Sequence, residues 1–217
     1  MSDIFTEVDE EVRREQLKKL WERYGNYVVA VVFLVIAAVA AWRGYEYWQT
    51  RRAAEAGAAY DAAARLSDEG KHAEAEAAFA KLVTDGTAGY RLLARLREAA
   101  EISQRDPKAA IAAYDQIAAE TKGQPLVSEL AAIRAAFLLV DTARLDEMTQ
   151  RLEPLTQPSG VFRHTARELL ALSAWRNHDT PAMRRWTEAA KNDPEAPSGV
   201  RSCMDVLASL LPEAGNP

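Results

Sequence analysis

Catalysis needs a nucleophile, a general base or a metal ligand set, and this chain offers few such groups. It has one cysteine, Cys203, and three histidines, His72, His164 and His178, which stand isolated from one another. A lone thiol closes no intrachain disulfide and makes no CxxC or zinc-type pair. Cys203 falls among Val206, Leu207 and Leu210, where a thiol serves as a small apolar group. HExxH, GxSxG and a Gly-rich phosphate loop are all missing from the sequence. The expectation is a non-enzymatic chain with no cofactor and no metal. A net charge of −5 argues against nucleic acid as a partner. Recognition is the chemistry that is left. Tyr60, Ser67, Phe137, His164, Arg167 and Trp175 combine aromatic, hydroxyl and cationic groups. Such a mixture can hold extended peptide by stacking and charge-assisted hydrogen bonds.

The elements that position these six residues are helical. From residue 51 onward, strand-like alternation is missing and Ala, Leu, Glu and Arg dominate, which favours helix. Gly70, Gly86, Asp106-Pro107, Pro125, Pro158, Pro181 and Pro194 interrupt the pattern. The intervals predict helices over 46–69, 72–84, 88–104, 107–120, 125–142, 145–155, 160–177, 181–191 and 197–211. Asp106 and Thr180 each precede a Pro and are the expected N-caps of their helices.

The helices come in pairs, and bulky residues of the second helix in each pair, Phe79, Tyr114, Leu152 and Trp186, recur at 35, 38 and 34 residues. Around them the pattern resembles the tetratricopeptide repeat. In the first repeat it reads Ala59, Ala62, Ala63, Leu66, Gly70, Ala75, Phe79 and Leu82. In the third it reads Ala132, Ala135, Ala136, Leu139, Met148, Leu152 and Leu155. The fourth has Ala166, Leu169, Leu170, Ser173, Ala182, Trp186, Ala189 and a closing Pro194. The second has Ala110, Tyr114 and Ile117, but Arg97 and Glu98 stand where small residues belong, so its register is open. The resemblance implies an all-α solenoid with 197–211 as its C-terminal capping helix. In that register the six recognition residues line the concave groove formed by the first helix of each pair.

Ahead of the repeats lies an apolar run. Between Arg23 and Arg43 stand 19 consecutive uncharged residues. At a rise of ~1.5 Å per residue they span roughly 28 Å, close to the hydrocarbon core of a bilayer. Trp21, Tyr24 and Tyr27 flank one end, and Trp42, Tyr45, Tyr47 and Trp48 the other, as rings at membrane interfaces do. A transmembrane anchor over 24–45 is expected. Ala38-Val39-Ala40 fits a signal-peptide cleavage site, but the preceding region is long and carries seven acids, unlike a secretory leader. Arg13, Arg14, Lys18, Lys19 and Arg23 before the span, against Arg43, Arg51 and Arg52 after it, place the N-terminus inside. Residues 1–23 are then a cytoplasmic tail, with apolar residues Ile4, Phe5, Val8, Val12, Leu17 and Leu20 at near-helical spacing, and 46–217 a periplasmic repeat domain. Ala30, Ala37, Ala41 and Gly44 fall on one helical face and could meet a partner helix in lipid.

The stretch Arg13-Arg14-Glu15-Gln16-Leu17-Lys18-Lys19-Leu20-Trp21-Glu22-Arg23-Tyr24-Gly25-Asn26-Tyr27, the apolar span, and Trp42-Arg43-Gly44-Tyr45-Glu46-Tyr47-Trp48 resemble the YfgM-like family of ancillary SecYEG translocon subunits of Proteobacteria. The resemblance implies an inner-membrane protein beside the SecYEG channel. Its partners would be a membrane-anchored periplasmic chaperone, such as the prolyl isomerase PpiD, and emerging polypeptide clients. The residues by themselves support an anchored peptide- or protein-binding scaffold. They leave open a scaffold for envelope assembly or division, and a regulator acting through its cytoplasmic tail.

Overall fold

The computed structural model of this chain describes the backbone of residues 3–211, with the side chain of Arg14 and those from Leu17 onward. The tail residues Ile4, Phe5, Val8 and Val12 carry side chains that lie outside the described residues. The described backbone forms α1 (Asp3–Asp68), α2 (His72–Asp85), α3 (Ala88–Ser103), α4 (Pro107–Glu120), α5 (Pro125–Leu139), α6 (Leu145–Leu152), α7 (Arg163–Arg176), α8 (Thr180–Lys191) and α9 (Ser198–Ser209), and no strand.

Local chemistry sets most of the boundaries. Asp106 caps α4 by accepting the backbone N–H of Ala109 at 3.0 Å, with Pro107 in the first turn. The cap of α8 is Asp179 and not Thr180: its carboxylate accepts from Ala182 N at 2.8 Å, so the helix begins one residue early and includes Thr180. An ionised oxygen is a stronger acceptor for the free N–H groups of a first turn than a hydroxyl. Pro154 cannot continue the ladder of α6, and the chain tightens there into a 3₁₀ turn, Glu153–Thr156. Helix α7 starts at Arg163, later than the Pro158 signal suggests, because the chain first turns at Gly160. A Cβ on Gly160 would sit 2.6 Å from the Leu155 carbonyl oxygen.

The chain divides into two compact units, 1–55 and 56–217, with the boundary inside α1. In the first unit the helix carries its apolar side chains uncovered from Tyr27 to Trp42, with Leu34 72% exposed. The Trp21 indole lies against Gly25, one turn on. Polar contacts begin again after the apolar run, where Gln49 Nε2 donates to Tyr45 Oη at 2.6 Å and Arg52 lies 4.6 Å over the Trp48 ring.

The second unit is a row of helices, each packed on its neighbours in sequence, α2 on α3, α4 on α5, α7 on α8, with α9 closing on α7 and α8. Its core follows the row as three clusters. Phe79 and Leu82 pack with Ala56, Ala63 and Ala75; Tyr114 and Ile117 pack with Ala99, Ala131 and Ala135; the largest gathers Met148, Leu152, Leu169, Leu170, Trp186 and Met204. Each of the four bulky residues at the repeat period is buried. The second repeat takes its register from Ala94 and Ala99, which are buried in α3, while Arg97 and Glu98 are half-buried. In the first repeat Ala63 is buried, whereas Ala59 and Ala62 are exposed on α1, where no earlier repeat covers them. Val200, Met204 and Leu207 of α9 cover the last pair.

Candidate functional site

Recognition chemistry in a helical row depends on which side chains are left without internal partners. Ion pairs between neighbouring repeats use up many of the charges. Glu76 takes both Arg105 Nε (3.0 Å) and Nη2 (2.7 Å), Asp115 pairs bidentately with Arg151, and Arg185 reaches Glu153 at 2.7 Å. These partners are 29, 36 and 32 residues apart, so each link joins one repeat to the next.

The expected groove residues fall into four environments. Tyr60 of α1 is half-buried in an aromatic cluster, 5.4 Å from the Phe79 ring centroid and 5.9 Å from that of Tyr90. Ser67, also on α1, donates from Oγ to Glu101 Oε1 at 2.6 Å. His164 and Arg167 of α7 are brought together around Asp193, behind the α8 C-terminus. Arg167 Nη1 donates to Asp193 Oδ2 at 2.8 Å and to the Ala189 carbonyl at 3.2 Å, and Nη2 to the Thr156 carbonyl at 3.0 Å. Arg163 Nε donates to the same Asp193 oxygen at 3.1 Å. His164 Nδ1 is buried 3.8 Å from that oxygen, too far for a hydrogen bond. Burial and the Arg163 charge both lower the pKa of this imidazole. Phe137 of α5 and Trp175 of α7, in contrast, are open to solvent at 51% and 49%.

On the first unit, Ala30, Ala37, Ala41 and Gly44 are all exposed, and nothing lies within 4 Å of a Cβ built on Gly44. Among the described residues no group of three His, Cys, Asp or Glu side chains is arranged to hold a metal ion. The Cys203 thiol is half-buried, and burial first, then the Glu168 carboxylate, push its pKa up. A thiol held protonated is a poor nucleophile.

The repeat signature marks Arg97 only as a break in the small-residue pattern and passes over Arg134. The signal was present: Leu93-Ala94-x-Leu96-Arg97-x-Ala99 returns as Leu130-Ala131-x-Ile133-Arg134-x-Ala136. Ala94 and Ala99 are buried in the first copy and Ala131, Ile133 and Ala136 in the second, so the two arginines hold matching positions on α3 and α5.

The arrangement defines a helical-repeat protein built for binding other proteins, following a helix long and apolar enough to cross a membrane. The tetratricopeptide repeat-like domain family matches residues 18–170, and the chain belongs to that family. Comparison with curated proteins and with solved structures gives no match.

Proposed function

We propose that this chain is a non-enzymatic scaffold of the bacterial inner membrane that works at the SecYEG translocon. Residues 24–45 anchor it, residues 1–23 lie in the cytoplasm, and residues 46–217 form a periplasmic repeat domain. The observation that carries the reading is the uncovered apolar run of α1 next in sequence to a protein-binding repeat domain. Exposed apolar surface on that scale is costly in water and is relieved by lipid or by another membrane helix. The small-residue face Ala30, Ala37, Ala41 and Gly44 meets a translocon helix, where close backbone approach favours packing. The repeat domain engages a membrane-anchored chaperone and emerging clients. Of its expected groove residues, Phe137 and Trp175 present the most free surface, and Tyr60, Ser67, His164 and Arg167 shape the groove from behind.

Photocrosslinking in native membranes tests this reading, with probes at Ala37 and Phe137. The expected products join Ala37 to a translocon subunit and Phe137 to secretory polypeptides or a periplasmic chaperone. Capture of envelope-assembly or division proteins alone at both positions overturns the translocon assignment.

A further inference from the structure

Glu98 stands where the repeat pattern calls for a small residue, and beside it α2, α3 and α4 leave a cavity of about 250 Å³. That is several times the ~30 Å³ a water molecule occupies in the liquid. Helices α2 and α4 both pack on α3. Val83 of α2, Ala99 and Ile102 of α3, and Ala113 and Ile117 of α4 make the apolar part of the wall, and Arg95, Glu98 and Gln116 the polar part. Two of these three are already engaged by one acid. Arg95 Nη1 lies 2.6 Å from Glu120 Oε2, and Gln116 Nε2 donates to Glu120 Oε1 at 2.8 Å, which turns the Gln116 donor group away from other use. The Glu98 carboxylate has neither a hydrogen bond nor an ion pair among the described residues. Burial first, then the charge of Glu76, push its pKa up, as for a carboxyl short of donors. Glu76 itself is held by Arg105. A wider trough shares Val83, Arg95 and Gln116 with the cavity and continues past Leu92 to Thr121, with the exposed Arg91 on the trough but not on the cavity. None of the six expected groove residues lines either space.

We infer that this cavity receives a basic side chain, lysine or arginine, of a protein partner, with Glu98 as its counter-charge. Such side chains carry a cationic head on an aliphatic stem. The stem packs against Val83, Ala99, Ile102, Ala113 and Ile117, and the head donates charge-assisted hydrogen bonds to the Glu98 carboxylate. An acidic ligand would instead leave Glu98 facing a like charge. The trough beside the cavity gives room for the residues that flank the basic one, which favours a polypeptide over a free cation. The inference goes beyond the groove reading, because it places a second contact surface on the α2 and α4 side of the first two repeats.

The test uses the full chain in zwitterionic nanodiscs and a short fluorescein-labelled peptide of Gly, Ser and Val with one central lysine. Its counterpart carries norleucine there, which keeps the stem and removes the charge. The lysine peptide is expected to bind more tightly than the norleucine peptide, and Glu98→Gln to weaken it at least about tenfold. Ala113→Leu fills the cavity without changing its charge and is expected to weaken the lysine peptide to the same degree. Glu74→Gln removes an exposed acid of α2 outside the cavity and is expected to leave binding unchanged. Circular dichroism melting establishes that each variant is folded. Equal binding of the two peptides, binding of neither, or lysine-peptide binding that survives both Glu98→Gln and Ala113→Leu overturns the site. Butylammonium that displaces the peptide at the peptide's own concentration assigns the cavity to a free cation and overturns the polypeptide occupant. Capture at Phe137 in membranes is read separately, so either result can fail while the other stands.

Discussion

Ser67 Oγ donates a 2.6 Å hydrogen bond to Glu101 Oε1, which ties the end of α1 to the end of α3 across 34 residues of sequence. The other carboxylate oxygen, Oε2, lies 2.8 Å from His72 Nδ1 at the start of α2. Glu101 is only 4% exposed, so its charge depends on these two partners for what water would otherwise supply. Three helices meet at one buried carboxylate.

Ser67→Ala leaves Glu101 one donor short in a buried site and should lower stability by about 1–2 kcal/mol. Urea denaturation of the detergent-solubilised chain reads this as a lower midpoint at unchanged slope. A midpoint equal to that of the parent would show that Ser67 contributes nothing to the joint.

Gly70 and His178 occupy the same kind of corner. Gly70 has φ 74° and His178 φ 58°, and in both the next residue donates back across a six-residue turn, Lys71 N to Leu66 O and Asp179 N to Ala174 O, each at 2.9 Å. No atom lies within 4 Å of a Cβ placed on Gly70, so Gly70→Ala meets only backbone strain, about 1–2 kcal/mol. His178→Gly removes the same strain and should raise stability by about 0.5 kcal/mol once the added freedom of the unfolded chain is subtracted. Opposite shifts in the two melting temperatures are expected. Shifts of the same sign would contradict the shared motif.

Phe79 and Leu152 are fully buried and belong to different core clusters. Phe79→Ala should cost about 3–5 kcal/mol and Leu152→Ala about 2–5 kcal/mol. Because repeats contact mainly their sequence neighbours, hydrogen exchange should speed up most in α1 to α3 for the first and in α6 to α8 for the second. Uniform acceleration along the domain in both variants would contradict a repeat-wise core.

Asp193 accepts from Arg163, from the backbone N–H of Glu195 and from Arg167. Arg163 is the largest influence holding its carboxyl well below the usual carboxylate range, against the opposing effect of burial. A carboxyl with a depressed folded-state pKa stabilises fully above its unfolded value of about 3.9, and the contribution fades as pH falls through the lower folded value. Asp193→Asn should therefore lower the melting temperature at pH 7, and the gap to the parent should narrow below about pH 3. A gap that is constant across this range would show that the charge on Asp193 is not what matters.

Helix ends marked by Pro and Gly were legible in the sequence, because ring closure and φ freedom act locally: α2, α3, α4 and α5 all start at the predicted residue, and α6 does so without such a mark. Where two local signals compete, tertiary context decides. Asp179 displaced Thr180 as a cap, and Pro154 ended α6 before Leu155. The candidate site was less legible. A groove register names residues on a face, but whether an arginine is free depends on acids far along the chain. Arg167 finds Asp193 across 26 residues, while Arg97 and Arg134 find no such partner among the described residues. The repeated Leu-Ala-x-Leu/Ile-Arg-x-Ala pattern was visible, yet only the buried alanines reveal its register.

The central claim, a membrane anchor separating a cytoplasmic tail from an outer repeat domain, is tested most directly by labelling single cysteines in spheroplasts. In a Cys203→Ser background, Lys18→Cys and Asp61→Cys provide exposed sites on either side of the span. A membrane-impermeant maleimide should modify position 61 in intact spheroplasts and position 18 only after permeabilisation. Modification of both positions without permeabilisation, or of position 18 alone, would contradict the account.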